Sequence, residues 1–266
     1  MGNRALKRLF LLPFAVLYAG VALLRNKLYD WGIFTSVQFN IPVISIGNLS
    51  AGGTGKTPHI EYLIKQLLQQ QLTVATLSRG YKRRTSGFLL ASAQSNALQI
   101  GDEPLQLKTK FPDVTVAVGE NRAAAIRQIM AQQPNVAVIL LDDAFQHRRV
   151  KPGLSILLTD YHHLFTQDLP LPAGRLREPA CGYRRAQVIV VTKCPPQLTA
   201  AQQQAITTEI NPLPHQAVLF SYLTYGNPCH INHPAQQTTL NRQTAVLLVC
   251  AIANLQPLLQ YVQARA

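Results

Sequence analysis

The segment Ser50-Ala51-Gly52-Gly53-Thr54-Gly55-Lys56-Thr57 limits what this chain can fold into more than any other part of it. It follows the apolar run 41–46 and precedes a helical pattern over about 58–70. A strand, a glycine-rich turn ending in Gly-Lys-Thr and a helix make a cradle for a nucleotide's phosphates. Backbone N–H groups and the helix N-terminus face the anion, Lys56 reaches the β- and γ-phosphates, and Thr57 binds Mg²⁺. Gly52, Gly53, Thr54, Gly55, Lys56 and Thr57 are therefore the expected ATP-binding residues. ATP and Mg²⁺ are the expected cofactors.

Beyond the loop the chain alternates strand and helix patterns. Apolar, β-branched runs at 72–77, 114–118, 136–141, 154–159 and 188–192 predict a parallel sheet covered on both faces, with a helix over about 120–132. Functional groups then belong at the carboxyl ends of the strands. Lys82-Arg83-Arg84 with residues 88–91 predicts an exposed hairpin. The long connection 160–187 reads as a lid or binding loop. A glutamine-rich helix at 195–210, strand-like pieces at 217–222 and 245–250 and a short helix at 255–264 complete the pattern. Pro212-Leu213-Pro214 predicts a boundary. The fold class is α/β: an N-terminal membrane-associated helix in 1–36, a P-loop NTPase core with a mainly parallel sheet in 37–212, and a smaller, incomplete second α/β domain in 213–266.

The net charge of +13 calls for an anionic partner. The basic residues are scattered and not interleaved with aromatics, which argues against a specific nucleic-acid surface. Cys181, Cys194, Cys229 and Cys250 lack metal spacing and fit a reduced compartment as packing residues. Near the N-terminus, Arg4, Lys7 and Arg8 precede an uncharged run over 9–24, closed by Arg25 and Lys27. As a helix that run covers about 24 Å, short of a hydrocarbon core of about 30 Å, and it contains Pro13 and Gly20. The pattern suits a helix lying on, or partly in, an anionic bilayer surface; a secretory signal and an ordinary core helix are the competing readings.

A second chemical cluster follows the run 136–141. Asp142 and Asp143 at a strand tip suit Mg²⁺ beside Thr57, with His147 one turn on. A zinc site from Asp142, Asp143 and His147 is the alternative. Asp102 and Glu103 open a helix, where either one caps the helix dipole or accepts a proton from an attacking hydroxyl; the residues alone do not choose between them. Arg79, Arg122, Arg175 and Arg177 fall at strand-end loops, where guanidinium groups suit phosphate oxygens.

Five ordered stretches together resemble the tetraacyldisaccharide 4'-kinase family of lipid A biosynthesis. They are Gly47 to Pro58, Ser78-Arg79-Gly80-Tyr81, Gly101-Asp102-Glu103-Pro104, Asp142-Asp143-Ala144-Phe145-Gln146-His147-Arg148 and Pro172-Ala173-Gly174-Arg175-Leu176-Arg177-Glu178-Pro179. The likeness runs from the N-terminal helix to Ala251-Ile252-Ala253-Asn254. It implies a membrane-associated P-loop kinase at the cytoplasmic face of the bacterial inner membrane; a monomer is the expected state, though the sequence does not give it. Such an enzyme moves the γ-phosphate of ATP to the 4'-hydroxyl of a tetraacylated glucosamine disaccharide 1-phosphate. The resemblance also implies roles. Asp102 accepts the proton, with Lys56, Asp143 and His147 around the reacting groups. Thr57, Asp142 and Glu178 attend the metal, and Arg79, Tyr81, Arg122, Arg175 and Arg177 attend the substrates. Family members continue into a region with an Asp-His pair and a Thr-Thr-Glu-Lys-Asp stretch, whose histidine partners the catalytic acid; the sequence reaches Ala266 without either, so the second domain is expected to be partial.

The competing class is a partitioning-type ATPase that uses a similar Gly-Gly-Thr-Gly-Lys-Thr loop and an amphipathic helix. It carries a lysine where this chain has Ala51, and it gives no reason for the segment 172–179.

Overall fold

The computed structural model describes residues 2–230, 233–250 and 255–265. In chain order its elements are α1 (Gly2–Asp30), β1 (Val43–Asn48), α2 (Lys56–Gln69), β2 (Val74–Ser78), β3 (Leu89–Leu90), α3 (Ala97–Ile100) and α4 (Asp102–Lys110). They continue as β4 (Thr115–Val118), α5 (Arg122–Gln132), β5 (Val138–Asp142), β6 (Leu154–Asp160), β7 (Val188–Thr192), α6 (Ala200–Ile210), β8 (Ala217–Phe220), β9 (Cys229–His230), β10 (His233–Gln237) and α7 (Gln256–Gln263). Two compact units result, 1–221 and 222–266.

The first unit is built on an eight-stranded sheet of order β3-β4-β2-β5-β1-β6-β7-β8. Every pairing is parallel except that of β3 with β4. Strands buried on both faces need apolar residues at successive positions, which is why they read as unbroken runs. Along β5 the side chains part by face: Ile139 and Leu141 pack with Ile126 and Ile129 of α5, whereas Leu140 packs with Ile60 and Ile64 of α2. A third cluster, containing Leu157, Ile189, Phe165, Leu176 and Ile210, lies under the long connection after β6. That connection carries two short 3-10 turns, Phe165–Gln167 and Ala180–Arg185. β8 lies beyond the boundary expected at 212 and still pairs with β7.

Helix α1 is longer than the uncharged run inside it. Its 29 residues span about 43 Å, and Arg8–Asp30 is long and apolar enough to cross a membrane, at a mean hydropathy of 1.7. Ala15 and Asn26 are buried and Ala19 and Ala22 half-buried on one stripe, while Leu9, Phe10, Phe14, Val16, Leu17, Val21 and Leu24 are exposed. The reading of an ordinary core helix is thereby overturned.

Other expectations also change. Residues 88–91 do not form a hairpin with the basic segment before them; β3 is an antiparallel edge strand on β4, and Arg83 is tied to Glu120 and Gly87. Of the four cysteines only Cys194 packs inside; Cys181, Cys229 and Cys250 are exposed. In the second unit β9 and β10 form a short antiparallel pair, and Tyr261 of α7 packs on Tyr225 with ring centroids 4.8 Å apart and planes inclined by 37°. The run 245–250 is not a strand: no partner strand pairs with it among the described residues, and Leu247 and Val249 are exposed. The segment 251–254, where the sequence resemblance is expected to end, lies outside the described residues.

Backbone approach is tight where β1 passes the turn after β5. A Cβ on Gly47 would sit 2.7 Å from the Phe145 Cβ and 3.0 Å from its backbone nitrogen, whereas one on Gly20 of α1 meets nothing within 4 Å. Gly47→Ala is expected to lower stability by about 1–3 kcal/mol through this overpacking. Gly20→Ala is expected to cause no loss. Denaturant unfolding of the two variants, compared at equal slope, measures the difference.

Candidate active site

The carboxyl ends of β1, β2, β5, β6 and β7 open on the same edge of the sheet, and the chain's chemical groups gather there. Between β1 and α2 the phosphate loop is held by its carbonyl groups. Asn48 Nδ2 donates to the Ser50 carbonyl at 2.7 Å, Thr192 Oγ1 to the Thr54 carbonyl at 2.9 Å, and Lys193 Nζ to the Gly53 carbonyl. The Ala51 N–H donates to the Arg175 carbonyl at 2.6 Å. None of the hydrogen bonds of the described residues uses an N–H from Gly52 to Gly55. Those groups form an anion-seeking concavity at the start of α2. Gly52 (φ 127°) and Gly55 (φ 83°) supply left-handed backbone that a side chain would oppose.

Lys56, the first residue of α2, lies 3.6 Å from an Asp143 oxygen and 3.4 Å from Asn48 Oδ1. Arg177 grips Asp143 through one guanidinium nitrogen, at 3.0 and 2.9 Å to the two oxygens. Asp143 therefore links the phosphate loop to the segment 172–179. That segment also pairs by backbone with the loop, Ser50 opposite Leu176 and the Arg177 N–H on the Leu49 carbonyl at 2.7 Å.

Asp142 is only 3% exposed, and its Oδ1 has no hydrogen-bond partner. Burial pushes its pKa up to about 7; the negative charges of Glu103 and Asp143 add to this, and Lys56 and Arg122 oppose it. An orphaned buried carboxylate oxygen next to the start of α2 is the donor that a hard cation bound by one or two carboxylates and a substrate phosphate requires, so these residues fit Mg²⁺. A zinc site is not formed: no group of three or more His, Cys, Asp or Glu side chains suited to a metal exists among the described residues. His147 is a neutral imidazole, its pKa lowered to about 4 by burial and then by the charges of Arg122, Arg25 and Arg79.

Glu178 has a different setting from the one expected at a metal. It is 3% exposed, and Asn26, Gln146 and Arg185 donate to its two oxygens at 2.8–3.0 Å. With both oxygens filled by donors of the chain, it ties α1, the turn after β5 and its own loop together.

The other expected residues divide. The Ser78–Tyr81 and Gly101–Pro104 turns touch by backbone: a Cβ on Gly80 would meet the Ile100 carbonyl at 2.8 Å, and one on Gly101 the Tyr81 carbonyl at 3.0 Å. Asp102 opens α4 with its side chain exposed, and Glu103 beside it is near enough for its charge to act on Asp142. Arg79 is exposed, and its charge acts on Arg122 and His147. Arg122 is buried, with Nε unpartnered; burial first, opposed by Asp142, brings its pKa to about 10. Tyr81 points outward, with Lys82 over its ring. The Arg175 side chain pairs with Asp168 and away from Asp143, so its share in the site is its carbonyl on Ala51.

Sequence reasoning missed Asn48, Gln146, Thr192 and Lys193 as parts of the site. Asn48, fully buried at the tip of an apolar strand, and the pair Thr192-Lys193 at the end of β7 carried a signal, since polar residues at carboxyl strand ends are where such sheets place function. Gln146, which donates to the Asn48 carbonyl, had none beyond its place in the acidic motif.

Comparison with known proteins agrees with this geometry. Residues 7–266 match the family described as tetraacyldisaccharide-1-P 4'-kinase (LpxK). The tetraacyldisaccharide 4'-kinase of Bacteroides thetaiotaomicron is 52% identical over 262 residues, covering 94% of this chain and 69% of that protein. That of Flavobacterium johnsoniae is 46% identical, covering 97% and 76%. Among solved structures, LpxK from Aquifex aeolicus in complex with ATP is 39% identical with a TM-score of 0.64 and covers 69% of this chain. This chain spans 58% of the length of that one. With the phosphate loop, the acidic pair and the 172–179 segment all meeting at one sheet edge, and with likeness on this scale, the chain belongs to the tetraacyldisaccharide-1-P 4'-kinase family.

Proposed function

We propose that the chain transfers the γ-phosphate of ATP to the 4'-hydroxyl of a tetraacylated disaccharide 1-phosphate, a step of lipid A synthesis, at the cytoplasmic face of the inner membrane. The observation that carries this reading is the phosphate loop with its N–H groups free, closed on one side by the Lys56–Asp143–Arg177 chain. The relatives named for this kinase activity, and the one solved with ATP, support the choice of donor and acceptor.

The residues then divide the work. The loop N–H groups and Lys56 bind the β- and γ-phosphates and offset their charge. Thr57 and Asp142 would hold Mg²⁺, which neutralises charge on the phosphate oxygens. Asp102 takes the proton as the 4'-oxygen bonds to phosphorus and the bond to the β-phosphate's bridging oxygen breaks, releasing ADP. Arg177 keeps Asp143 turned toward Lys56, and His147 lends a neutral hydrogen-bonding group. The apolar face of α1 and the basic excess of the chain support a cleft held at the headgroup level of an anionic leaflet, where the acceptor lies.

Three outcomes follow. In mixed micelles with Mg²⁺, labelled γ-phosphate is expected to pass from ATP to the tetraacylated disaccharide 1-phosphate, and to do so at background rate with Lys56→Ala; no transfer by a chain that still binds Mg-ATP overturns the acceptor assignment. Asp102→Asn is expected to lower kcat about a hundredfold or more with Mg-ATP affinity unchanged, and undiminished turnover would remove Asp102 from the mechanism. Replacing Leu17 and Val21 together by serine on the exposed face of α1 is expected to weaken binding to anionic vesicles at least about tenfold, since each buried CH₂ contributes about 0.8 kcal/mol; equal flotation of both proteins refutes the membrane contact.

A further inference from the structure

The exposed face of α1 is only half of that helix. Along the opposite stripe Ala15, Ala19 and Ala22 allow close approach to the kinase unit, and among the described residues the polar groups that α1 sends across go to two motifs of the active site. Tyr18 donates its hydroxyl to the Arg177 carbonyl at 2.7 Å, and Asn26 Nδ2 donates to Glu178 Oε2 at 2.8 Å. Arg25 donates to the Gln146 carbonyl at 3.0 Å, and Arg148 returns to the Asn26 carbonyl at 2.6 Å and to Asp30 at 2.7 Å. Asn26 is only 9% exposed, between the exposed Arg25 and Lys27, and a buried amide with one defined acceptor fixes the register of the helix against that acceptor.

We infer that α1 is a working part of the active site, with Asn26 and Tyr18 as positioning residues that set Glu178 and Arg177 and, through Arg177, the Asp143 carboxylate beside Lys56. The argument runs through adjacent atoms. Arg177 is held from behind by Tyr18 at its carbonyl and by Leu49 at its N–H, and one nitrogen of its guanidinium group sets both oxygens of Asp143. Glu178, the next residue, takes Asn26 and Arg185 on one oxygen and Gln146 and Arg185 on the other. Without Asn26, Oε2 keeps Arg185 alone, and the two-residue segment that orients Asp143 loses its anchor on α1. A shift of about 1 Å in groups of this kind costs up to about a hundredfold in rate. The same helix that rests on lipid would thus set the catalytic geometry.

This inference rests on the kinase reading, so its test has one arm that needs no turnover. The full chain is compared with Asn26→Ala, Asn26→Asp, Asn26→Gln and Tyr18→Phe in mixed micelles, with kcat, KM for each substrate, vesicle flotation and thermal midpoint measured on each. Asn26→Ala is expected to lower kcat about tenfold and Asn26→Asp further, because it sets a second carboxylate against Glu178. KM for the lipid and flotation are expected to stay within about twofold, with Asn26→Gln, which keeps the donor, recovering much of the rate. Tyr18→Phe removes one hydroxyl from a partly exposed position and is expected to lower kcat in the same sense without loss of folding. Amide hydrogen exchange across 174–180 is expected to rise in Asn26→Ala whether or not phosphate is transferred. An unchanged kcat, a loss that tracks flotation or thermal midpoint, or unchanged exchange at 174–180 overturns the inference. A chain that transfers no phosphate while exchange at 174–180 rises would sink the acceptor assignment and leave this one standing.

Discussion

A phosphate loop has to keep its N–H groups unpaired, and everything else in the first unit follows from how that is done. Free donors at the start of a helix repel one another and invite the loop to fold back on itself, so the loop must be held by its other polar groups. Here the carbonyls are taken by Asn48, Thr192 and Lys193, and the neighbouring Ala51 N–H is taken by the Arg175 carbonyl. The holders come from β1, from the end of β7 and from the segment 172–179. Three parts of the chain far apart in sequence, 48–57, 172–179 and 192–193, must be in register before the cradle exists. The parallel sheet, with its strands all ending on one edge, is the arrangement that puts them there.

Charge at this edge is arranged around one cost. Asp142 is taken out of water with an oxygen unpaired, and a carboxylate so placed moves toward its neutral form unless a cation comes. Asp143 one residue on is instead gripped by Arg177 and approached by Lys56. Two adjacent acids thus have separate tasks, set by environment rather than by type. Burial first, and then the charges of Arg122, Arg25 and Arg79, lower the His147 pKa to about 4, so the site's positive charge near neutral pH is left to its lysine and arginines.

The strands were legible because apolar runs of that length have few other ways to be buried, and the phosphate loop because its spacing has a mechanism behind it. The run 245–250 shows the limit of that logic: an apolar run becomes a strand only beside another strand, and pairing is not written in the run itself. Residues 88–91 fail in the same way, since pattern gave a strand correctly and its partner wrongly. Within the candidate site, the gathering of Lys56, Asp142 and Asp143 at one sheet edge was readable from position on the chain. Arg175 and Glu178 were not. Both have the chemistry of phosphate or metal binding, and only packing shows that Asp168 takes the one and Asn26, Gln146 and Arg185 the other.

Helix α1 was the most ambiguous stretch in the sequence for a physical reason. Measured by its uncharged run it is too short to span a bilayer, by its full length it is long enough, and by its buried stripe it belongs to the kinase unit. These readings conflict only if the helix has a single partner. A helix with large apolar side chains on one face and alanines with an asparagine on the other has two faces of different chemistry, and on the proposed reading, with lipid on the outer one, each face needs what the other must exclude. Bulk on the docking face would push the helix off Glu178, and an amide on the outer face would gain nothing from lipid. The composition of α1 is therefore the average of two surfaces, which is why no average property of it could say what it does.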